Sequence, residues 1–155
     1  MTAKQNTAPA KLNMPKEWLK IVLDELNTPK EWLEAVQQDA MMLYRVPKKQ
    51  KTQKLCLIAV QNHGEALKDV PEALKTAGIC LAAVQNCGRA LKFVPEVLKT
   101  RNLCLAAVQQ DGLALQFVPK ELKTPELCLT AVQNGNALKF VPKALKNEMH
   151  AYGLP

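Results

Sequence analysis

The sequence predicts an all-α protein, a solenoid of about five 24-residue, two-helix repeats behind an N-terminal capping helix. Three columns of residues carry that expectation. A leucine recurs at Leu33, Leu57, Leu81, Leu105 and Leu129, each 24 residues after the last, and a glutamine keeps step at Gln37, Gln61, Gln85, Gln109 and Gln133. Proline follows at Pro47, Pro71, Pro95 and Pro119, then arrives one residue early at Pro142 because the turn after Gln133 is shorter. A fixed period of this length is the mark of stacked supersecondary units. One such unit has too few large apolar side chains to offset the entropy of ordering its own backbone, so each must bury its faces against neighbours.

Taken in order, residues 1–12 are small and polar, and are expected to be a disordered tail. Residues 13–155 form a single helical-repeat domain, with a capping helix in 13–27 and repeats over 28–149. In the cap, Trp18, Leu19, Val22, Leu23 and Leu26 recur at helical spacing with charged residues between them. Its opening, MPKEWLK, looks like a lengthened copy of the VPKELK element that ends later units. The next helix starts after Thr28, where Pro29 and Glu31 complete a capping box. Thr52, Thr76, Thr100 and Thr124 repeat that position, and Asn147 takes it after the shortened last unit; each has a side-chain oxygen that can accept from a free helix N–H.

The run LCLAAV is apolar all round, which predicts burial between two neighbours. Gly64, Gly88 and Gly112 are expected to end these helices by taking positive φ. The segment ALKFVPEVLKT then predicts a helical turn at about Ala90 to Phe93, a break at Val94, and a short helix from Pro95.

The repeated pattern LCLxAVQxxGxALKxVPxxLKTxE resembles a mainly bacterial helical repeat family catalogued only as a domain of unknown function, across residues 28–149. It is more weakly similar to the leucine-rich repeat variant, a 24-residue unit that alternates an α-helix with a 3₁₀ helix; that resemblance implies a right-handed superhelix. Ala40 departs from the pattern where Gly is expected, and NGN replaces the longer turn in the last unit. The family brings no activity and no catalytic residue.

Composition narrows function by exclusion. No stretch approaches the length of apolar residues a bilayer span requires, the first dozen residues lack a signal-peptide core, and a cytoplasmic location is expected. The net charge of +7 raises the question of nucleic acid, but it is spread unevenly: +4 over residues 1–54, then −1, +3 and −1 over the next three units, and +2 over the remainder. Cys56, Cys80, Cys104 and Cys128 share one column, so neighbouring sulfurs stand a helix-packing distance of about 8 to 10 Å apart, too far for a disulfide or a shared zinc ion. They are expected to be reduced core residues. Cys87 shares a polar column with Asp39, His63 and Asp111, and is expected to be exposed and readily labelled. A His63, Cys87, Asp111 triad fails on the same spacing. No catalytic residue, metal site or cofactor is expected, and the protein is read as not an enzyme.

Surface ladders remain. The paired amides Gln37 and Gln38, Gln61 and Asn62, Gln85 and Asn86, Gln109 and Gln110, and Gln133 and Asn134 either satisfy turn carbonyls or hold a peptide. Lys51, Lys75, Lys99, Lys123 and Lys146 are either solvated helix-end lysines or a phosphate-binding track. The column two residues before Pro reads Arg45, Asp69, Phe93, Phe117 and Phe140. A position that accepts charge reaches water, so the three Phe, flanked by Lys92, Gln116 and Lys139, form a candidate contact stripe unless they tuck between units. The expected activity is binding another protein, as an immunity, inhibitor or adaptor module. The alternative is a nucleic-acid-binding solenoid that uses the Lys ladder. No membrane role is expected.

Overall fold

The computed structural model describes residues 28–151, with side chains through residue 147. The tail expected at 1–12 and the capping helix expected at 13–27 lie outside the described residues. Within them every regular element is helical and no strand occurs. Six α-helices run in chain order: α1 (Pro29–Gln38), α2 (Gln53–Asn62), α3 (Ala77–Asn86), α4 (Arg101–Gln110), α5 (Pro125–Gln133) and α6 (Lys143–Ala151). No described helix is long and apolar enough to cross a membrane.

Each of α1 to α5 begins because a threonine caps it. The hydroxyl oxygens of Thr28, Thr52, Thr76, Thr100 and Thr124 accept from the backbone N–H three residues on, each at 3.3 Å. At Thr28 the box is reciprocal, with the Thr28 N–H donating to Glu31 Oε2 at 3.0 Å. Asn147 does not cap a helix. It lies inside α6, which starts directly after Pro142; in this unit the helix runs on where the others make a single 3₁₀ turn.

After each of α1 to α4 comes a six-residue 3₁₀ segment: Ala40–Arg45, Gly64–Asp69, Gly88–Phe93 and Gly112–Phe117. The residue before Pro then turns extended, and a one-turn 3₁₀ segment follows at Lys48–Gln50, Glu72–Leu74, Glu96–Leu98 and Lys120–Leu122. Break and turn fall where the sequence puts them. The second helix is shorter than expected, and Pro precedes it as the cap. In the last unit the first segment shrinks to Leu138–Phe140.

The α-helices contact one another in sequence order, as do the longer 3₁₀ segments, and each α-helix contacts the 3₁₀ segment beside it. The core runs between these two rows. In α4 it takes Leu103, Cys104, Ala107 and Val108, in the following segment Ala114 and Leu115, and after it Val118; the equivalent residues are buried in the two units before. One side of each α-helix is left outside this sandwich. Leu57, Leu105 and Leu129 are only half-buried and Leu81 is 38% exposed, so the expectation of burial on every side is corrected.

The glycines act for a different reason from the one expected. The helices end at His63, Cys87 and Asp111, all extended, and Gly64, Gly88 and Gly112 open the 3₁₀ segments without positive φ. What they need is room. A Cβ on Gly64 would lie 2.3 Å from the Ala83 carbonyl oxygen of the next unit, one on Gly88 would lie 2.3 Å from that of Ala107, and one on Gly112 would lie 2.0 Å from that of Ala131. Backbone meets backbone at these three junctions.

Candidate functional site

Close approach lets the second amide of each pair reach across the junction. Asn86 Oδ1 accepts from the Gly64 N–H at 2.7 Å while its Nδ2 donates to the Gln61 carbonyl at 2.8 Å. Gln110 repeats the clamp, accepting from the Gly88 N–H at 2.5 Å and donating to the Asn86 carbonyl at 3.2 Å. In the shortened last unit the Gly112 N–H donates to the Asn134 carbonyl at 3.2 Å, and the Asn134 side chain turns to the Thr130 carbonyl at 2.8 Å. These bonds satisfy an orphan helix carbonyl and a buried turn N–H with one side chain. The first amides, Gln37, Gln61, Gln85, Gln109 and Gln133, stay exposed.

The lysine ladder also faces inward. Lys51, Lys75, Lys99 and Lys123 each extend the ammonium to a carbonyl of the following unit, respectively Asp69 at 2.7 Å, Phe93 at 3.0 Å, Phe117 at 3.1 Å and Phe140 at 3.2 Å. Lys75 and Lys99 are paired besides with Glu72 and Glu96, and their side chains are only 7% exposed. Burial pulls the Lys51 ammonium below its usual range, against the opposing pull of Asp69, and lowers Lys123 likewise. Neither solvated helix-end lysines nor an open phosphate track describes these four side chains. Lys146 lies half-buried in α6, and no fifth bond of this kind occurs among the described residues.

Phe93, Phe117 and Phe140 are half-buried, packed along the edge of the core with part of each ring accessible. Lys92 Nζ stands 4.6 Å from the Phe93 ring centre and Lys139 Nζ stands 4.9 Å from that of Phe140, both within cation–π range. Lys92 also pairs with Glu65 at 3.4 Å. The exposed Gln116 donates to the Leu113 carbonyl at 3.0 Å beside Phe117. The three rings are thus half-buried alike, two of them beneath a lysine.

All five cysteines are free thiols. Burial pushes the thiols of Cys56, Cys80 and Cys128 up, and that of Cys104 to about 11. Cys87 is half-buried against Gly64, a correction to its expected exposure. Asp111, of the same column, is held by the Arg89 guanidinium at 2.6 Å and caps the Leu113 N–H at 2.9 Å, so it is not poised beside a nucleophile.

Two grooves escaped the sequence reading. One, about 540 Å³, runs between the outer faces of α2 and α3 over Leu57, Leu81 and Ala82, where Gly78 leaves space. The other, about 380 Å³, opens at the first junction among Gln37, Gln38, Asp39, Ala40, Met41, Asn62 and His63. The sequence signal for the second was Ala40 in the glycine column.

A family described as a domain of unknown function (DUF4116) matches residues 78–123 and, in an overlapping second copy, residues 100–146. No curated protein and no solved structure matches the chain. The chain is thus similar, over residues 78–146, to a family that has a sequence pattern and no assigned activity.

Proposed function

We propose that the chain is a non-enzymatic protein-binding module, a right-handed solenoid of five units whose N-terminal residues 13–27 form its capping helix. The handedness rests on the resemblance to the leucine-rich repeat variant. The spacing of α1 to α5 at 24 residues and their contacts in sequence order support the stacking. We place the protein in the cytoplasm, where free thiols persist.

The observation that carries the binding reading is the rim formed by Phe93, Phe117 and Phe140 with Lys92, Gln116 and Lys139. Aromatic edges bordered by polar groups are the composition of a protein contact surface. The lysines over Phe93 and Phe140 are exposed and can turn to an acidic partner without unpacking the core. For the nucleic-acid alternative, the ammonium groups of Lys51, Lys75, Lys99 and Lys123 are already committed to carbonyls. A phosphate ligand would have to break those bonds, which weakens that reading.

The test is a photo-crosslinker at Gln116, compared with one at Gln85 on the α-helical side, in the native host. A discrete protein adduct from position 116 and none from position 85 supports the rim. Lys139→Glu should abolish that adduct while leaving the melting temperature within about 2 °C, since exposed charges away from buried partners contribute little to stability. Adducts of equal yield from both positions, or nucleic acid as the adduct, would replace this reading.

A further inference from the structure

The first junction lacks what the next two have. At the Gly64 and Gly88 junctions a side-chain carboxamide bridges a backbone N–H and a helix-end carbonyl of the preceding unit. The pair at the first junction that corresponds to the Asn86 clamp is the Ala40 N–H and the carbonyl of Gln37, with Asn62 in the bridging column. Among the described residues no hydrogen bond joins Asn62 to either group. Ala40 supplies the reason. A Cβ built on Gly64 would lie 2.3 Å from the Ala83 carbonyl oxygen, and Ala40 has a real methyl group at that place in the repeat. The first unit must stand back from the second, and Asn62 no longer spans the gap. The result is the groove of about 380 Å³ bounded by Gln37, Gln38, Asp39, Ala40, Met41, Asn62 and His63.

We infer that this groove is a binding site for a primary carboxamide, which takes the place that Asn86 and Gln110 occupy at the neighbouring junctions. A carboxamide offers an acceptor to the Ala40 N–H and a donor to the Gln37 carbonyl with one planar group. The fold makes this pairing at the Gly64 junction through Asn86, and at the Gly88 junction makes a similar one through Gln110 to the carbonyl one residue further on. Gln37, Gln38 and Asn62 add donors and acceptors at the rim, and Met41 and the Ala40 methyl form an apolar floor. Asp39 selects against the isosteric carboxylate. Its Oδ1 accepts from the Met41 N–H at 2.9 Å, which fixes an acidic side chain in the groove lining. A carboxylate ligand would face that negative charge and have no hydrogen for the Gln37 carbonyl. The ligand is thus an asparagine or glutamine side chain on a protein loop, or a small free amide. This inference is independent of the Phe rim and stands or falls without it.

The experiment is a titration of the ¹⁵N-labelled protein with acetyl-Gly-Asn-Gly-N-methylamide, acetyl-Gly-Asp-Gly-N-methylamide and free L-glutamine, following the amide signals of Ala40 and Met41. The Asn peptide should move both signals saturably, and the Asp peptide should bind at least about tenfold more weakly, because it lacks the donor and meets Asp39. Binding of free glutamine as tight as the peptide assigns the source to a small amide; binding of the peptide alone assigns it to a protein side chain. Ala40→Gly should abolish binding by letting the units close and Asn62 clamp across, with a new hydrogen bond from the residue-40 N–H seen as slowed exchange. Gln85→Ala, outside the groove, should leave the affinity within about twofold. Absence of any shift at Ala40, equal affinity for the Asn and Asp peptides, or undiminished binding by Ala40→Gly overturns the inference.

Discussion

The Gly88 junction and the Ala40 junction differ at the residue that opens the 3₁₀ segment, glycine in one and alanine in the other, and the difference bears on how closely the units meet. Both have a capping threonine on the next helix, at Thr100 and Thr52, with the same 3.3 Å bond. Both place a buried cysteine and valine behind the contact, Cys104 and Val108 in one case and Cys56 and Val60 in the other. The glycine junction brings backbone against backbone, and of the two only it has an amide hydrogen-bonded across the seam among the described residues. Apolar stacking is therefore sufficient to hold neighbouring units, and the glycine sets how closely they meet.

Converting one kind of junction into the other is the strongest test. Gly88→Ala places a Cβ 2.3 Å from the Ala107 carbonyl oxygen and 3.0 Å from the Asp111 side chain. The overlap and the lost Gln110 clamp together should cost about 3 kcal/mol, read by urea denaturation. The backbone φ at Gly88 is not in the left-handed region, so alanine is strained there by its neighbours alone. A loss below about 1 kcal/mol would mean that the stack yields easily and that Ala40 is not the cause of the open groove.

Next in size is the clamp itself. Gln110→Ala strands the buried Gly88 N–H and should cost about 1 to 2 kcal/mol. Thr100→Ala, at a site common to both junction types, should cost about 0.5 to 2 kcal/mol, and Thr52→Ala should match it. Equal losses from Gln110→Ala and Thr100→Ala leave the comparison intact. Unequal losses from the two threonines would show that the Ala40 junction differs by more than its seam.

How much of this the sequence disclosed follows from how local each cause is. The threonine caps were legible because the acceptor and its N–H lie three residues apart. The glycine column was legible as special, yet its reason was misread, since the carbonyl that excludes a Cβ belongs to a helix 19 positions on, at Ala83 for Gly64. Lysine spacing was plain, and its partner was not: the carbonyl it reaches lies 18 residues away, or 17 for Lys123, and becomes a neighbour only once units stack. Asn147 fit the column and missed the cap because α6 does not repeat the one-turn segment of the earlier units. The Phe column, which accepts Arg45 and Asp69, proved neither open nor sealed; a ring at the edge of the core is packed on one side and wet on the other.

A property shared by both junction types should respond to pH in the same way on each. The Cys56, Cys80 and Cys128 thiols have raised pKa values through burial, and Cys104 is pushed to about 11 from an ordinary 9.0. A raised pKa means the folded state holds its proton longer than the unfolded chain. That stability is complete below pH 9 and is lost as pH rises toward 11. Lys51 and Lys123, lowered by burial, act in the opposite sense just below the ordinary lysine range and blunt the fall. Denaturant midpoints measured from pH 8 to 11 should decline, and Cys104→Ala, which removes the most strongly shifted thiol, should lessen the slope. An unchanged slope in that variant would place the alkaline loss elsewhere.

The smallest expected effect is the sharpest for the comparison. Asn62 and Gln110 occupy the same column, each the last residue of its α-helix, and differ by one methylene and in the junction they face. Gln110 bridges Gly88 and Asn86, whereas Asn62 makes no bond to Ala40 among the described residues. Asn62→Ala should therefore change stability by less than about 0.5 kcal/mol, the range of a surface substitution without a buried partner. Made in the Ala40→Gly background, the same change should cost about 1 to 2 kcal/mol, because the closed junction gives Asn62 the clamp that Gln110 already has. The double-mutant cycle over positions 40 and 62 isolates that coupling. A coupling of at least about 1 kcal/mol identifies the methyl group of Ala40 as what keeps the first seam open. A coupling near zero would assign the open seam to the first unit's other contacts, and the glycine column would then be permitting a close approach that it does not by itself create.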